Sequence, residues 1–459
     1  MKMLLTGLTL VTALVVGACD FNITNPNSPP PIGPNATPDQ VKSAAVGTLV
    51  ALRVDVPRWV LTGAILGREG YRLDTADPRF TTELLAGPLD PSNDAFGGGQ
   101  WAAEYRAVQS GYQILNVIGS AQITPGEREG VRGFVHTIQA LAFLMVLNAH
   151  TEDSIPVDVN RAIDQPLAPL VTNDSAYKFV LGLLDSARTE LQAATGLGFD
   201  PGPGFTDFKT PAAFLELNRG VAARVQAYRA SPSAPGAGCT ACWDTVITDL
   251  TQSFMDTTAS LDLGAYHAFS TGNQDTPNGL FQNPSSAVNL AHPAIKASAE
   301  LQTGGLALDK RFLAKVTDRL NALGQPDTFA LSGLSSALSW VRYPSPNASI
   351  PIVRNEELIL LWAEARLGQG NAAEAAQFIN FIRRASGGLG PVANLASQTT
   401  DSIRTVLLKE RLYSLLYEGG HHWIDMRRYG RLNQLPVDRT ADVIFSTLPV
   451  NSFEVEARK

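Results

Sequence analysis

Three scarcities shape this chain. Cysteine occurs only three times in 459 residues, charged residues make up only 17%, and no block of Lys and Arg occurs anywhere. The formal net charge of -7 and the missing basic stretch speak against a nucleic-acid partner, which needs a cationic face to offset phosphate charge. Catalytic patterns are also missing. There is no His-Glu-x-x-His helix for zinc and no Gly-x-Ser-x-Gly elbow. Gly333-Leu334-Ser335-Ser336-Ala337 approximates that elbow but lacks its second Gly. Gly368-Gln369-Gly370 follows a helical pattern instead of a strand, which excludes a dinucleotide fingerprint. His421-His422 could reach a metal only if both rings faced one way, and adjacent residues on an element point apart, so a capping or packing role is favoured. No cofactor is called for. Aromatic residues, at 8%, give no strong push toward a sugar ligand.

What is present begins with the N-terminus. Lys2 precedes a short apolar run from Leu4 to Val16, too short to span a bilayer as a stable helix. Val16-Gly17-Ala18-Cys19 resembles a bacterial lipobox, in which Cys19 is acylated and the preceding bond is cut. We expect a leader over 1–18 and a tether over 19–38. Asp20 to Pro38 holds six prolines and four asparagines with almost no apolar side chain, a composition that forms an extended spacer and no core. No later stretch reads as a membrane span, so the lipid would be the sole membrane attachment. In an exported chain the remaining pair, Cys239 and Cys242, favours a disulfide over a redox or zinc site.

Residues 39–459 read as one mainly α-helical body with long irregular loops. The helical patterns cover 38–53, 100–120, 127–148, 173–195, 210–229 and 243–261. Thr37-Pro38 supplies a cap followed by Pro at the first helical position. Between 262 and 350 the pattern dissolves into Gly, Pro, Asn and Ser with scattered aromatics, and so long an irregular stretch inside a compact body is usually functional or disordered. In the 351–459 part, Leu358, Leu361, Trp362 and Ala365 form an apolar stripe. A Gly turn and the cap Asn371 follow, and Ala375, Phe378, Ile379 and Ile382 make a second stripe. Such a hairpin with alanines at its seam points to degenerate tetratricopeptide-like helix pairs, although no strict 34-residue period is visible. A last helix is expected from Thr400 to Tyr417, and Val443–Phe445 is a candidate strand.

Several blocks together resemble the SusD/RagB family. They are Arg354-Asn355-Glu356-Glu357, Ala363-Glu364-Ala365, Asn380 with Arg383, Glu410-Arg411, Glu418-Gly419, and Trp423, Asp425, Arg428 and Gly430. Trp101, Tyr105 and Asn116 fit the family's earlier helix, and Cys19-Asp20 through Asn27 fits its mature start, while His422 stands where the family often has Arg. The resemblance implies a helix-pair scaffold with loops on one side. It also implies an outer-membrane, surface-exposed lipoprotein that captures an oligosaccharide, or alternatively a peptide, and delivers it to a SusC-like TonB-dependent transporter without chemistry. The rivals are an exported lipoprotein hydrolase and a purely structural lipoprotein.

Charges such as Glu410, Arg411, Glu418, Asp425 and Arg428 interrupt apolar segments and are tolerable there only when paired, so we expect them to fix the scaffold. For a sugar, with flat C–H faces edged by hydroxyls, loop aromatics are the natural contacts. The candidates are Trp59, Tyr71, Phe96, Tyr266, Phe269, Phe281, Trp340 and Tyr343. At least two of them should converge on one open cleft.

Overall fold

Threonine caps start most of the long helices. In the computed structural model, which describes residues 32–162, 164–233, 238–272 and 275–459, Thr37 accepts from the Gln40 amide and Thr124 from the Glu127 amide. In both cases the third side chain reaches back to the cap, a full capping box with Pro at the first helical position. Thr172, Thr210, Thr399 and Asn371 cap their helices through one such bond each. These contacts satisfy amides that a helix start otherwise leaves unpaired. The expected leader, Cys19 and most of the tether lie outside the described residues.

The scaffold helices pack in pairs along the chain. Pro38–Arg53 lies on Ala102–Val117, Pro125–Ala149 on Asn173–Ala193, Pro211–Ala230 on Cys242–Thr251, and Asn355–Gly368 on Ala372–Ala385. Each pair also touches the next, so the chain stacks its hairpins as a tetratricopeptide-like solenoid. The helix Pro125–Ala149 corrects one expectation. With 25 residues and a mean hydropathy of 1.5 in its most apolar window, it is long and apolar enough to cross a bilayer. Its apolar surface instead faces other helices: 83% of that window is buried inside the protein, where it forms the centre of the largest core.

The sequence pattern left several short helices unread, including Val56–Leu66, Arg79–Ala86 and His421–Arg428. The first is buried along nearly its whole length, so it has no polar face to give a period. Its Gly63 sits so close to Gly420 that an added Cβ would stand 2.5 Å from the Gly420 Cα. Gly420 itself has φ +69°, in the left-handed region, so both glycines are demanded by this contact. The helix expected over 243–261 ends at Thr251, and Val443–Phe445 is no strand but irregular chain tied to the Leu85 carbonyl.

The segment 262–350 contributes short strands instead of unbroken loop. Asn289–Ala291 pairs antiparallel with Gly70–Arg72 and with Leu338–Trp340, which also pairs with Val316–Asp318. Gly264–His267 pairs with Ile350–Arg354 and so leads the chain back into the solenoid. A second hydrophobic core lies beneath these strands, built from Val60, Ile65, Leu290, Phe312, Trp340 and Tyr417 among others.

Candidate functional site

The charged C-terminal residues form a buried ion-pair network. Arg411 Nε donates to Asp425 at 2.7 Å, and Arg428 donates to Asp425 at 2.9 Å and to Glu364 at 2.8 Å. Arg224 meets Glu357 through two bonds, and Arg311 and Arg383 both meet Glu410. Although burial pushes upward, the guanidinium groups of Arg411 and Arg428 hold the Asp425 carboxyl far below the usual carboxylate range. These side chains tie the last helices to the solenoid and are consumed in doing so. Burial pushes His421 and His422 down to about 4, so both imidazoles are neutral near pH 7. Among the described residues, no group of three or more His, Cys, Asp or Glu stands close enough to hold a metal ion. A disulfide joins Cys239 to Cys242, with the Cα atoms 5.3 Å apart, just before the helix that begins at Cys242.

The aromatic candidates separate into two groups. Trp59, Tyr71, Phe96, Trp340 and Tyr343 are buried in hydrophobic cores in this structure. Trp340 lies flat on Tyr417, with ring centroids 4.2 Å apart and planes 3° from parallel. The Tyr343 hydroxyl donates to the Tyr417 carbonyl, and the Tyr71 hydroxyl donates to Asp438. Trp59 meets Trp423 edge-on, and Phe96 supports Phe80 from below at 4.8 Å. Each belongs to a short helix, strand or turn that reads as open loop in the sequence; Tyr71, Phe96, Trp340 and Tyr343 join the second core and Trp59 the first.

Tyr266 and Phe281 keep access to solvent, whereas Phe269, at 6% exposed, is itself part of the second core and borders a cleft. Phe269 lines a cleft of about 410 Å³ together with Phe80, Leu61, Leu280, Pro57 and Pro277. Arg53, Arg58 and Arg72 supply its polar edge. The Arg53 guanidinium lies 5.5 Å from the Phe269 ring centre, and that of Arg72 lies 4.4 Å from Phe80. Tyr266 lines an adjoining cleft of about 330 Å³ with Phe205, and Arg53 borders both clefts. Arg53 is held there by Asp275 and by the Ala268 carbonyl. Phe281 is 38% exposed but does not line either cleft.

The residues that sequence reasoning missed are Phe80, Phe205, Arg53, Arg58 and Arg72. Arg53 and Arg58 flank the junction of the helices Pro38–Arg53 and Val56–Leu66, and only a correct reading of the second helix would have placed them on one wall. Phe80 follows Asp77-Pro78-Arg79, a turn-then-helix signal that was present in the sequence.

The chain is a solenoid of helix hairpins with a cleft on its surface, lined from the helices by Arg53, Arg58 and Phe80 and from the inserted segment by Phe269 and Leu280. Residues 342–449 match the SusD family. The fold is similar to that of a SusD superfamily protein from Bacteroides vulgatus, with TM-score 0.68 and 14% identity, covering 92% of this chain and 97% of that one. It is also similar to a SusD superfamily protein from Parabacteroides distasonis, with TM-score 0.66 and 13% identity, covering 91% and 97%. A third structure, a complex with a xylogluco-oligosaccharide, has TM-score 0.61 and 14% identity, covering 86% and 85%. No curated protein matches the sequence. Residues 342–449 thus carry the SusD family pattern, and the fold over most of the chain is the one seen in SusD-like proteins.

Proposed function

We propose that this protein is a lipid-anchored, outer-membrane protein that captures an oligosaccharide and passes it to a SusC-like TonB-dependent transporter. The observation that carries the reading is the cleft in which Phe80 and Phe269 stand beside Arg53, Arg58 and Arg72. Rings of this kind match the C–H faces of a sugar, and the guanidinium edges match its hydroxyls. Each arginine is already paired with an aspartate, Arg53 with Asp275, Arg58 with Asp55 and Asp94, and Arg72 with Asp74. The cleft edge is therefore close to neutral and suits an uncharged glycan better than a strongly ionic one. The known complex of a related fold with a xylogluco-oligosaccharide supports the same ligand class.

Binding without turnover is part of this reading. The described residues lining the cleft include no carboxylate, histidine, serine or cysteine to act as an acid, base or nucleophile. A glycan screen on the purified protein tests the proposal, with titration of each hit against the Phe80→Ala, Phe269→Ala double variant. We expect a loss of affinity of about tenfold or more, since stacking rings contribute on the order of 1 kcal/mol each. A glycan that binds both forms equally, or one that is hydrolysed by the protein, would refute it. Co-purification with a barrel protein from detergent-solubilised membranes tests the transporter partnership.

A further inference from the structure

A third cleft, of about 500 Å³, opens on the far side of Tyr266 and is unlike the other two. It is lined by five basic side chains, Lys310, Arg311, Lys315, Arg342 and Arg354, and by only three acidic ones, Asp262, Glu356 and Glu418. Arg311 is matched within the protein by Asp309 and Glu410. Asp262 is 81% exposed and therefore screened by water. With Asp309 and Glu410 counted, five basic and five acidic side chains lie in or behind the cleft, so what sets it apart is the state of individual cations and not their number.

The donors of the inner cations are spent. Lys315 Nζ donates to the Tyr413 and Ser414 carbonyls and lies 2.9 Å from Glu418. Arg354 uses Nε and both Nη groups on Glu418, Glu356, Asp262 and the Ser414 carbonyl. Arg342 differs. Its Nε is pinned to Glu418 at 2.8 Å, and its guanidinium carbon lies 5.2 Å from the centre of the Tyr343 ring. Its two terminal Nη nitrogens have no hydrogen-bond partner among the described residues, and its side chain is 21% exposed. One edge of the guanidinium is thus held rigidly while the other is left open toward the cleft. Exposed Lys310 forms no ion pair among the described residues.

We infer that this cleft is a second binding site, distinct from the Phe80–Phe269 cleft, and that it takes a carboxylate-bearing ligand group on the open edge of Arg342 with Lys310 at the rim. A carboxylate is planar and matches the guanidinium fork through two parallel bonds, which an ammonium cannot offer. Its negative charge would face Lys310, which forms no ion pair among the described residues. The half-buried Tyr266 ring offers an apolar wall for the part of the ligand next to the carboxylate. Such a group could come from a uronic acid in a glycan or from the C-terminus of a peptide.

Isothermal titration of the purified protein distinguishes these sources. The probes are trigalacturonate against neutral galactotriose, and trialanine against its C-terminal amide. We expect at least one carboxylate probe to bind, its neutral counterpart to bind at least about tenfold more weakly, and the preference to vanish above about 0.5 M salt, where surface charges are screened. Arg342→Ala should weaken the carboxylate probe about tenfold, or about 1.4 kcal/mol, with Arg342→Lys intermediate. Because Arg342 also braces Glu418, Lys310→Ala is the second variant. It lies on the rim, should leave the fold intact, and should weaken the same probe a few-fold. Binding of trigalacturonate alone assigns the group to an acidic glycan, and binding of free-acid trialanine alone assigns it to a peptide terminus. If neither carboxylate probe binds at millimolar concentration, or if Lys310→Ala and a folded Arg342→Ala both bind like the parent protein, the site is refuted. The Phe80, Phe269 double variant should leave carboxylate binding here unchanged, which separates this outcome from failure of the main cleft.

Discussion

Arg224 and Glu357 face each other across 133 residues of sequence and form two parallel hydrogen bonds, Nε to Oε1 at 2.7 Å and Nη2 to Oε2 at 2.5 Å, with both side chains buried. The pair joins the third helix hairpin to the helix Asn355–Gly368. Its strength as a fastener lies in the asymmetry of burial, because neither charge has water to fall back on. Arg224→Ala or Glu357→Ala should each destabilise the protein by about 3–5 kcal/mol, since each leaves an uncompensated buried charge. Replacing both with apolar residues of similar volume should cost much less. Urea unfolding of the three variants decides this, and equal losses for single and double replacements would contradict it.

Core and surface aromatics should be separable by stability alone. Trp340→Ala removes a ring stacked on Tyr417 and should cost about 3–5 kcal/mol, as for other large-to-small core changes. Phe281→Ala, at a site 38% exposed, should change the midpoint of unfolding by less than about 0.5 kcal/mol. Thermal or urea melts of both variants check the contrast.

Stability should fall as pH rises through neutrality, and Glu104 should be one cause. Its carboxyl is fully buried, both of its oxygens lack hydrogen-bond partners, and burial together with nearby Asp55 raises it from 4.5 to about 8. Between pH 4.5 and 8 the folded state therefore holds a proton that the unfolded chain releases. Over that window the folded state loses up to about 1.4 kcal/mol per pH unit from this one group. Glu69, which burial raises to about 7, acts in the same direction. Glu104→Gln should flatten the fall by roughly one proton's worth and be relatively more stable at pH 8 than at pH 5. Unfolding free energies measured across pH 5–8 give the slope, and an unchanged slope in the variant would contradict the assignment.

The anchor and the disulfide can be tested together. Cys19→Ala should move the protein from the membrane fraction to the soluble fraction, because multiple acyl chains are what make such anchoring stable. Thiol titration of the denatured, non-reduced protein carrying Cys19→Ala should then find no free thiol, since Cys239 and Cys242 are joined. Two reactive thiols would contradict the pairing, and retention of the variant on membranes after a salt wash would contradict the anchor.

The sequence by itself determined the elements whose causes are local. Threonine and asparagine caps, Pro at first helical positions and 3.6-residue apolar stripes placed most of the long helices to within a few residues, because each signal acts over one or two turns; the uncapped helix expected over 243–261 ended ten residues early. The Arg-Glu and Arg-Asp blocks were legible as scaffold for a similar reason: charges set into apolar segments must find partners. Which partners they find was decided only in three dimensions, where Arg428 meets Glu364 and Arg224 meets Glu357 across long stretches of chain. Tertiary structure likewise decided which aromatics border a cleft. Trp340 and Phe269 look alike in sequence, each in a loop-like stretch between turn residues. Both are buried in the second core, but one stacks on Tyr417 from its strand and the other borders a cleft beside Arg53. Exposure of a ring depends on what packs over it, and here those neighbours come from distant segments that no local pattern records.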